Sequence, residues 1–176
     1  YGSCEPGVIQ VCYDENHNGL PDDGWYEIAG SSYPDRKESW LDLAAQAGND
    51  TKTVLNYEIT YYRPSKEPGA PTEQYIRWED NQGGSGYKAM NFAHLQSYYP
   101  KWIKEDKMTF TGTRLPQNGV DQSGKGTYYV LYRFAYGYAD NELNENAASA
   151  IDIDWAVDSK GKAVHLPGVD FVRIHT

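Results

Sequence analysis

The stretch DENHNGLPDDGW, residues 14–25, gathers oxygen-bearing side chains at a spacing that suits a hard cation. Calcium takes about six to eight oxygen ligands, and contiguous calcium loops turn tightly at a glycine. Asp14, Asn16 and Asn18 fall at the first, third and fifth positions of such a loop, and Gly19 falls at the sixth. The predicted calcium ligands are Asp14, Asn16, Asn18, the backbone carbonyl of Leu20, Asp22 and Asp23.

This loop departs from the usual pattern at its twelfth position, where Trp25 replaces a glutamate. Asp23 or Glu27 is then left to supply the missing carboxylate. Asparagine at two ligand positions lowers the negative charge, which predicts weak binding suited to calcium-rich surroundings outside the cell. Contiguous ligands usually close on themselves, so we predict a structural calcium ion and not a catalytic one. The alternative is a hairpin turn with solvated carboxylates.

A second set of oxygen-bearing side chains is predicted to form another metal or ligand loop, with a solvated acidic loop as the alternative. Its members are Asp140, Asn141, Asn144, Asp152 and Asp154. On a strand, Asp152 and Asp154 would share a face about 6.6 Å apart, near the carboxylate separation of inverting glycosidases. Catalytic carboxylates normally come from different elements that flank a cleft, so a glycoside hydrolase is the less favoured reading and we predict no enzyme.

Aromatic side chains beside amide and carboxylate groups predict a ligand surface, because flat rings stack on sugars while polar groups orient them. The alternative is that these rings fill the ends of a β-sandwich. The predicted ligand-binding residues are Trp78, Asp80, Asn81, Tyr98, Tyr99 and Trp102.

Alternation of apolar and polar residues dominates the chain and predicts strands bounded by Gly and Pro clusters. The predicted strands are 8–14, 25–30, 55–63, 74–80, 107–114, 127–138, 150–157 and 170–176. One helix is predicted from Ser39 as N-cap to Gly48, with a second short turn within 91–103. The predicted class is all-β, a β-sandwich of jelly-roll type with one or two short helices. We expect one domain over residues 1–176, alone or as the C-terminal portion of a larger domain.

Composition limits the partners of the chain. Its 176 residues include 16 Lys and Arg against 25 Asp and Glu, a net charge of −9, which disfavours nucleic acid and membrane surfaces. No run of 18 apolar residues exists, so no membrane span is predicted. The start at Tyr1 suggests processing from a longer precursor. Whether Cys4 and Cys12 form a disulfide is left open by the spacing.

Four blocks of the sequence resemble a family of secreted cell-surface proteins and lipoproteins of gut Bacteroidetes described as PKD-like. These blocks are DENHNGLPDDGWYEIAGS, NYEITYYRP, the stretch from FTGTRLP to DIDWAV, and HLPGVDFVRIHT. The resemblance implies an all-β, jelly-roll-like surface domain, an export route and a calcium loop over 14–23. It implies no established catalytic activity, and it implies a place beside outer-membrane uptake systems.

Together these observations predict an extracellular, calcium-stabilised binding or accessory module at the bacterial cell surface. Its expected ligand is a glycan or a small nutrient passed to an outer-membrane uptake protein. The alternative is a purely structural or protein-interaction domain in which calcium fixes one loop and no small ligand binds.

Overall fold

A computed structural model describes residues 3–34, 38–93 and 95–175. The chain divides into two compact units, the first formed by residues 1–55 with 113–176 and the second by residues 56–112. The prediction of a single domain over residues 1–176 stays a prediction.

Antiparallel strands make up most of the regular structure, as the alternating sequence predicts. They are β1 (Val8–Cys12), β2 (Trp25–Ile28), β3 (Val54–Tyr62), β4 (Thr72–Asp80), β5 (Ser85–Met90), β6 (Lys107–Arg114), β7 (Gly119–Asp121), β8 (Tyr129–Leu131), β9 (Ala156–Val157) and β10 (Phe171–His175). One α-helix, α1, covers Leu41–Gln46, and two 3-10 turns cover Ala147–Ser149 and Ile153–Trp155.

The first unit is organised around β1, whose five residues are all buried. The strand lies inside a four-stranded sheet of order β10-β1-β2-β9. Ile9 and Val11 point to one face and pack with Ile28, while Val8 points to the other face and joins a second core around Phe134. Because successive side chains of a strand alternate between faces, β1 contributes to both cores of this unit.

The helix α1 belongs to the second of these cores. Ala44 is its buried residue, and the preceding Trp40 packs edge-on against Phe134 with ring centroids 5.0 Å apart. The Trp40 indole N–H donates to the carbonyl of Arg133 at 2.9 Å, which satisfies the polar end of a buried ring. Trp40 and not Ser39 is the N-cap, and no side chain caps the helix.

The second unit contains a sheet of order β5-β4-β3-β6. Its core is formed by Tyr75, Ile76, Met90 and Tyr99. Strands β4 and β5 form a hairpin whose register pairs Glu79 with Ser85 and Trp78 with Gly86. The Gly-rich turn between them, 81–84, therefore brings polar residues of β4 and of the turn to one end of the hairpin.

The all-β class is confirmed, with several antiparallel sheets and few helical residues, in keeping with a β-sandwich. The predicted strand at 107–114 agrees with β6 at both ends. No helix among the described residues is long and apolar enough to cross a membrane.

Two predicted strands are largely wrong. Within 127–138 only Tyr129–Leu131 is a strand, and within 150–157 only Ala156–Val157 is one. Two strands were missed, β5 and β7, because glycines break their alternation. The predicted turn within 91–103 contains no helix among its described residues.

A polar row crosses the sheet of the first unit on the face opposite Ile9 and Val11. Gln10 pairs with Arg173 on one side and with Glu27 on the other, and the Arg173 guanidinium donates to the Gln10 side-chain oxygen at 2.6 Å. Glu27 also accepts a hydrogen bond from the backbone N–H of Thr113 at 2.9 Å. Burial raises the pKa of Glu27 above its ordinary value of 4.5, more than its hydrogen bonds to Thr113 and Gln10 lower it.

Glu27→Gln tests the pH linkage of this row. A carboxyl whose pKa is raised on folding adds stability in full below pH 4.5 and loses it as pH rises through the folded pKa. We therefore expect the free energy of unfolding of Glu27→Gln, relative to wild type, to increase with pH above 4.5 and then level off. Denaturant unfolding at a series of pH values measures this, with exposed Glu145→Gln as the flat control. A flat difference for Glu27→Gln would contradict the assignment.

Candidate functional site

The acidic loop leaves β1 and returns to β2 through a backbone that two residues bend sharply. His17 and Gly19 have φ values of 56° and 75°, in the left-handed region. The two carboxylate oxygens of Asp14 accept the backbone N–H groups of Asn18 at 3.0 Å and Gly19 at 2.8 Å. Gly19 permits the left-handed backbone of this turn, and the Asp14 carboxylate holds the turn by its two hydrogen bonds.

The remaining side chains of this loop contact one another. The Asn18 amide donates to both carboxylate oxygens of Asp22 at 3.1 and 3.2 Å. The Asn16 amide lies 3.3 Å from Asp23 Oδ1 and 3.4 Å from Asp22 Oδ1. The five predicted side-chain ligands thus lie in one hydrogen-bonded loop, in which amide N–H groups face the carboxylates.

The loop contains the oxygen-bearing side chains that calcium prefers, but they do not surround a single point. A half-turn of an Asn amide exchanges its nitrogen for its oxygen, so the same side chains can face a cation. Glu27 does not complete the set, because it lies on β2 against Thr113 and Gln10. Across the described residues, no three His, Cys, Asp or Glu side chains are arranged to hold a metal ion.

The members of the second predicted loop lie in different environments. Asn141 is 4% exposed, and its amide accepts from the Phe134 N–H and donates to the Phe134 carbonyl, both at 2.8 Å. Its polar atoms are committed to the backbone of its own unit. Asp140 takes a left-handed φ of 50°, and its carbonyl accepts the N–H of Glu5. Asn144 is exposed.

Asp152 and Asp154 do not lie on a strand, so the expectation that they share one strand face is wrong. They belong to a 3-10 turn, in which the Asp152 side chain is the N-cap and accepts the N–H of Asp154 at 2.9 Å. Asp154 Oδ1 lies 3.0 Å from His165 Nδ1, and both of these side chains are exposed. A short polar side chain that bonds the backbone two residues ahead favours a turn over a strand.

The predicted aromatic surface divides into buried and exposed members. Tyr99 is 1% exposed, and its hydroxyl donates to the Glu105 carbonyl at 2.9 Å, so it offers no face to a ligand. Tyr98 is half-buried and packs edge-on against Tyr75 with ring centroids 5.4 Å apart. Trp102 is 82% exposed. These environments place Tyr99 in the core and Trp102 at the surface.

Asp80 and Asn81 line an open depression of about 370 Å³ in the second unit. Its polar lining comes from β3, β4, the hairpin turn and the start of β5, and it includes Glu58, Thr60, Arg77, Glu79, Asp80, Asn81 and Ser85. Trp78 is not among the lining residues. It lies against Gly86, where an added Cβ would come within 3.1 Å of the indole. The volume is in the range of small-molecule sites.

Asp80 builds this depression as well as lining it. Its carboxylate accepts the N–H groups of Gly84 at 2.6 Å and Gln82 at 2.9 Å, and the Tyr57 hydroxyl at 2.8 Å. A Cβ on Gly84 would lie 2.7 Å from Asp80 Oδ2, so the close approach requires glycine. Asp80 is a structural residue of the turn, which makes it a poor target for testing ligand contact.

Some charged groups of the depression are paired with an opposite charge and others face solvent. Arg77 donates to Glu79, and its guanidinium stacks 4.5 Å from the centre of the Tyr62 ring. The hydrogen bond from Tyr62 lowers the pKa of Glu79 most, and the hydrogen bond from Arg77 lowers it further. This carboxylate is therefore ionised at neutral pH. Glu58 is exposed and lines the same depression. Three carboxylates and one guanidinium give the depression an excess of negative charge.

Sequence reasoning found Asp80 and Asn81 but missed Glu58, Arg77 and Glu79. Arg77 and Glu79 are two residues apart on β4 and share one face, a pattern typical of an ordinary solvent-facing strand. Only the pairing of Glu79 with Thr60 on β3 and with Ser85 on β5 brings these side chains beside one another. The missed assignment of β5 concealed that pairing.

Cys4 and Cys12 are free thiols. Burial raises the pKa of both, and it is the largest effect on each. Neither thiol is therefore activated as a nucleophile at neutral pH.

Comparison with known proteins assigns no family to this chain. No protein-family model matches it, and no curated protein matches it either. The resemblance to the PKD-like surface proteins stays a prediction.

Asn141→Ala tests whether Asn141 is structural. Truncation leaves the buried N–H and carbonyl of Phe134 without their partner, so we expect a loss of about 2–4 kcal/mol in the free energy of unfolding. Exposed Asn144→Ala in the same loop is the matched control and should change it by less than about 0.5 kcal/mol. Denaturant unfolding measures both, and equal effects of the two substitutions would contradict the structural role.

Proposed function

We propose that this chain is an extracellular, calcium-stabilised module at the bacterial cell surface that binds a glycan or another small polar nutrient. The observation that carries the proposal is the depression at the β4–β5 hairpin, which contains two of the residues predicted for ligand binding, Asp80 and Asn81. Carboxylate, amide, hydroxyl and guanidinium groups line it together, a set that suits the hydroxyl groups of a sugar.

The proposal is for binding and not for catalysis. Asp152 and Asp154, the carboxylates of the alternative glycoside hydrolase, are both exposed and lie in a turn. Exposed carboxylates in a solvated turn lack the apolar surroundings that raise the pKa of a catalytic acid. Transfer of the ligand to an outer-membrane uptake protein remains part of the proposal.

Calcium has a structural role in this proposal. Asp14, Asn16, Asn18, Asp22 and Asp23, with the Leu20 carbonyl, would hold the ion between the end of β1 and the start of β2. Binding would replace amide–carboxylate contacts by contacts to a cation, which would hold together carboxylates that otherwise repel one another.

Glu58→Gln tests the ligand site. The Glu58 side chain lines the depression, and loss of one charged hydrogen bond to a ligand weakens binding by about tenfold or more. Calorimetric titration of the whole chain with a panel of neutral, amino and acidic sugars measures the Kd, with Glu73→Gln, exposed at the start of β4, as the control. Absence of binding across the panel would favour the alternative of a structural or protein-interaction domain.

Asp22→Ala tests the metal site. At calcium about 100-fold above its Kd, binding adds about 2.7 kcal/mol to the free energy of unfolding, or about 5–10 °C in Tm for a chain of this size. We expect wild type to show this increase over a chelator-treated sample and Asp22→Ala to lose it. Asp42→Ala, exposed on α1, should retain it. Equal Tm values of wild type in calcium and in chelator would defeat the calcium proposal while leaving the ligand site untouched.

A further inference from the structure

The connection between β5 and β6, described over residues 91–93 and 95–106, projects large apolar side chains into solvent. Phe92 is 84% exposed, Trp102 is 82% exposed and Leu95 is 51% exposed. A single exposed apolar residue is ordinary on a protein surface. Two aromatic rings exposed to this degree within one connection leave a large apolar area without a partner in their own unit.

This connection is nevertheless fixed to the core of its unit. Tyr99 is buried beneath the Arg63 guanidinium, which lies 4.4 Å from the ring centre. The N–H of Tyr98 donates to the Tyr75 hydroxyl at 3.1 Å, and the Ser97 hydroxyl bonds Glu67 at 2.8 Å. The buried tyrosines close the core, so Phe92 and Trp102 are not required for that purpose.

Lysines accompany the exposed rings. Lys101 and Lys104 are exposed and flank Trp102, and Lys88 and Lys107 are exposed on the adjoining strands. Among the described residues no ion pair engages these four lysines, whereas the nearby Asp106 pairs with Arg63 at 3.6 Å. The exposed cations next to Trp102 are therefore available to an external anion.

The charge of the chain is unevenly distributed. Residues 56–112 contain seven Lys and Arg and seven Asp and Glu, so the whole net charge of −9 is carried by the rest of the chain. The general exclusion of membrane surfaces by acidity does not apply to this segment taken alone. Charges beyond about 8 Å are largely screened at physiological ionic strength.

We propose that the β5–β6 connection is a contact site for an anionic lipid surface, with Phe92 and Trp102 entering the interfacial layer and Lys101 and Lys104 meeting the headgroups. Tryptophan is favoured at membrane–water interfaces, and lysine keeps its ammonium at the headgroups while its alkyl stem lies on apolar surface. This contact uses none of the residues that line the depression, so it stands independently of the glycan proposal.

Vesicle sedimentation of the whole chain tests the contact. Wild type should bind vesicles of phosphatidylcholine with phosphatidylglycerol more strongly than vesicles of phosphatidylcholine alone, and salt should weaken the binding. Phe92→Ser with Trp102→Ser should reduce the partition coefficient by about tenfold or more. Leu143→Ser and Tyr128→Ser, which change exposed apolar residues of the other unit, are the matched controls and should bind as wild type does.

A second pair of variants separates charge from apolar contact. Lys101→Glu with Lys104→Glu should weaken binding to anionic vesicles, while exposed Lys125→Glu should not. In wild type, brominated lipid should quench part of the tryptophan fluorescence, and Trp102→Phe should abolish that part, which supports the contact without relying on a destabilised variant.

Three results would overturn the proposal. One is the absence of wild-type binding to either vesicle, and another is an equal loss of binding in Leu143→Ser. The third is loss of sugar binding in Trp102→Phe with unchanged vesicle binding, which would assign Trp102 to the glycan surface. Loss of sugar binding in Glu58→Gln with normal vesicle binding would leave the lipid contact standing.

Discussion

The buried strand β1 is the constraint on which the first unit depends. Its apolar residues serve two cores on opposite faces, and Gln10 is fixed between Arg173 and Glu27 on neighbouring strands. A one-residue slip would exchange the faces and bury the wrong side chains. The acidic loop begins two residues beyond β1 and ends at β2, so the pairing of these strands also fixes where Asp14 and Asp23 can meet.

The second unit uses one carboxylate for architecture and exposes others to solvent. Asp80 accepts two backbone N–H groups and the Tyr57 hydroxyl, and these bonds hold the β4–β5 turn. Glu58 and Glu79 line the same depression as this turn. Rigid backbone beneath exposed polar groups reduces the entropy lost when a ligand binds, which is why such a hairpin end is suited to recognition.

In the first unit, two buried polar side chains bond the backbone. Asn141 matches the N–H and carbonyl of Phe134, and the Glu38 carboxylate accepts the Ala135 N–H at 3.2 Å. Exposed carboxylates occur in the acidic loop 14–23 of the first unit and on β3 of the second unit, where Glu58 lies. This division separates residues that hold the fold from residues available for binding, although both kinds are Asp, Glu and Asn in the sequence.

The sequence by itself determined the all-β class and the bounds of β6, because alternation of apolar and polar residues acts over short stretches. Tertiary structure decided the rest. Tyr99 and Trp102 lie three residues apart, yet one is buried and the other exposed. Asp152 alternates as a strand residue would but caps a turn. The wall of the depression required β3, β4 and β5 side by side, because burial and cross-strand contact depend on pairings between residues distant in the chain.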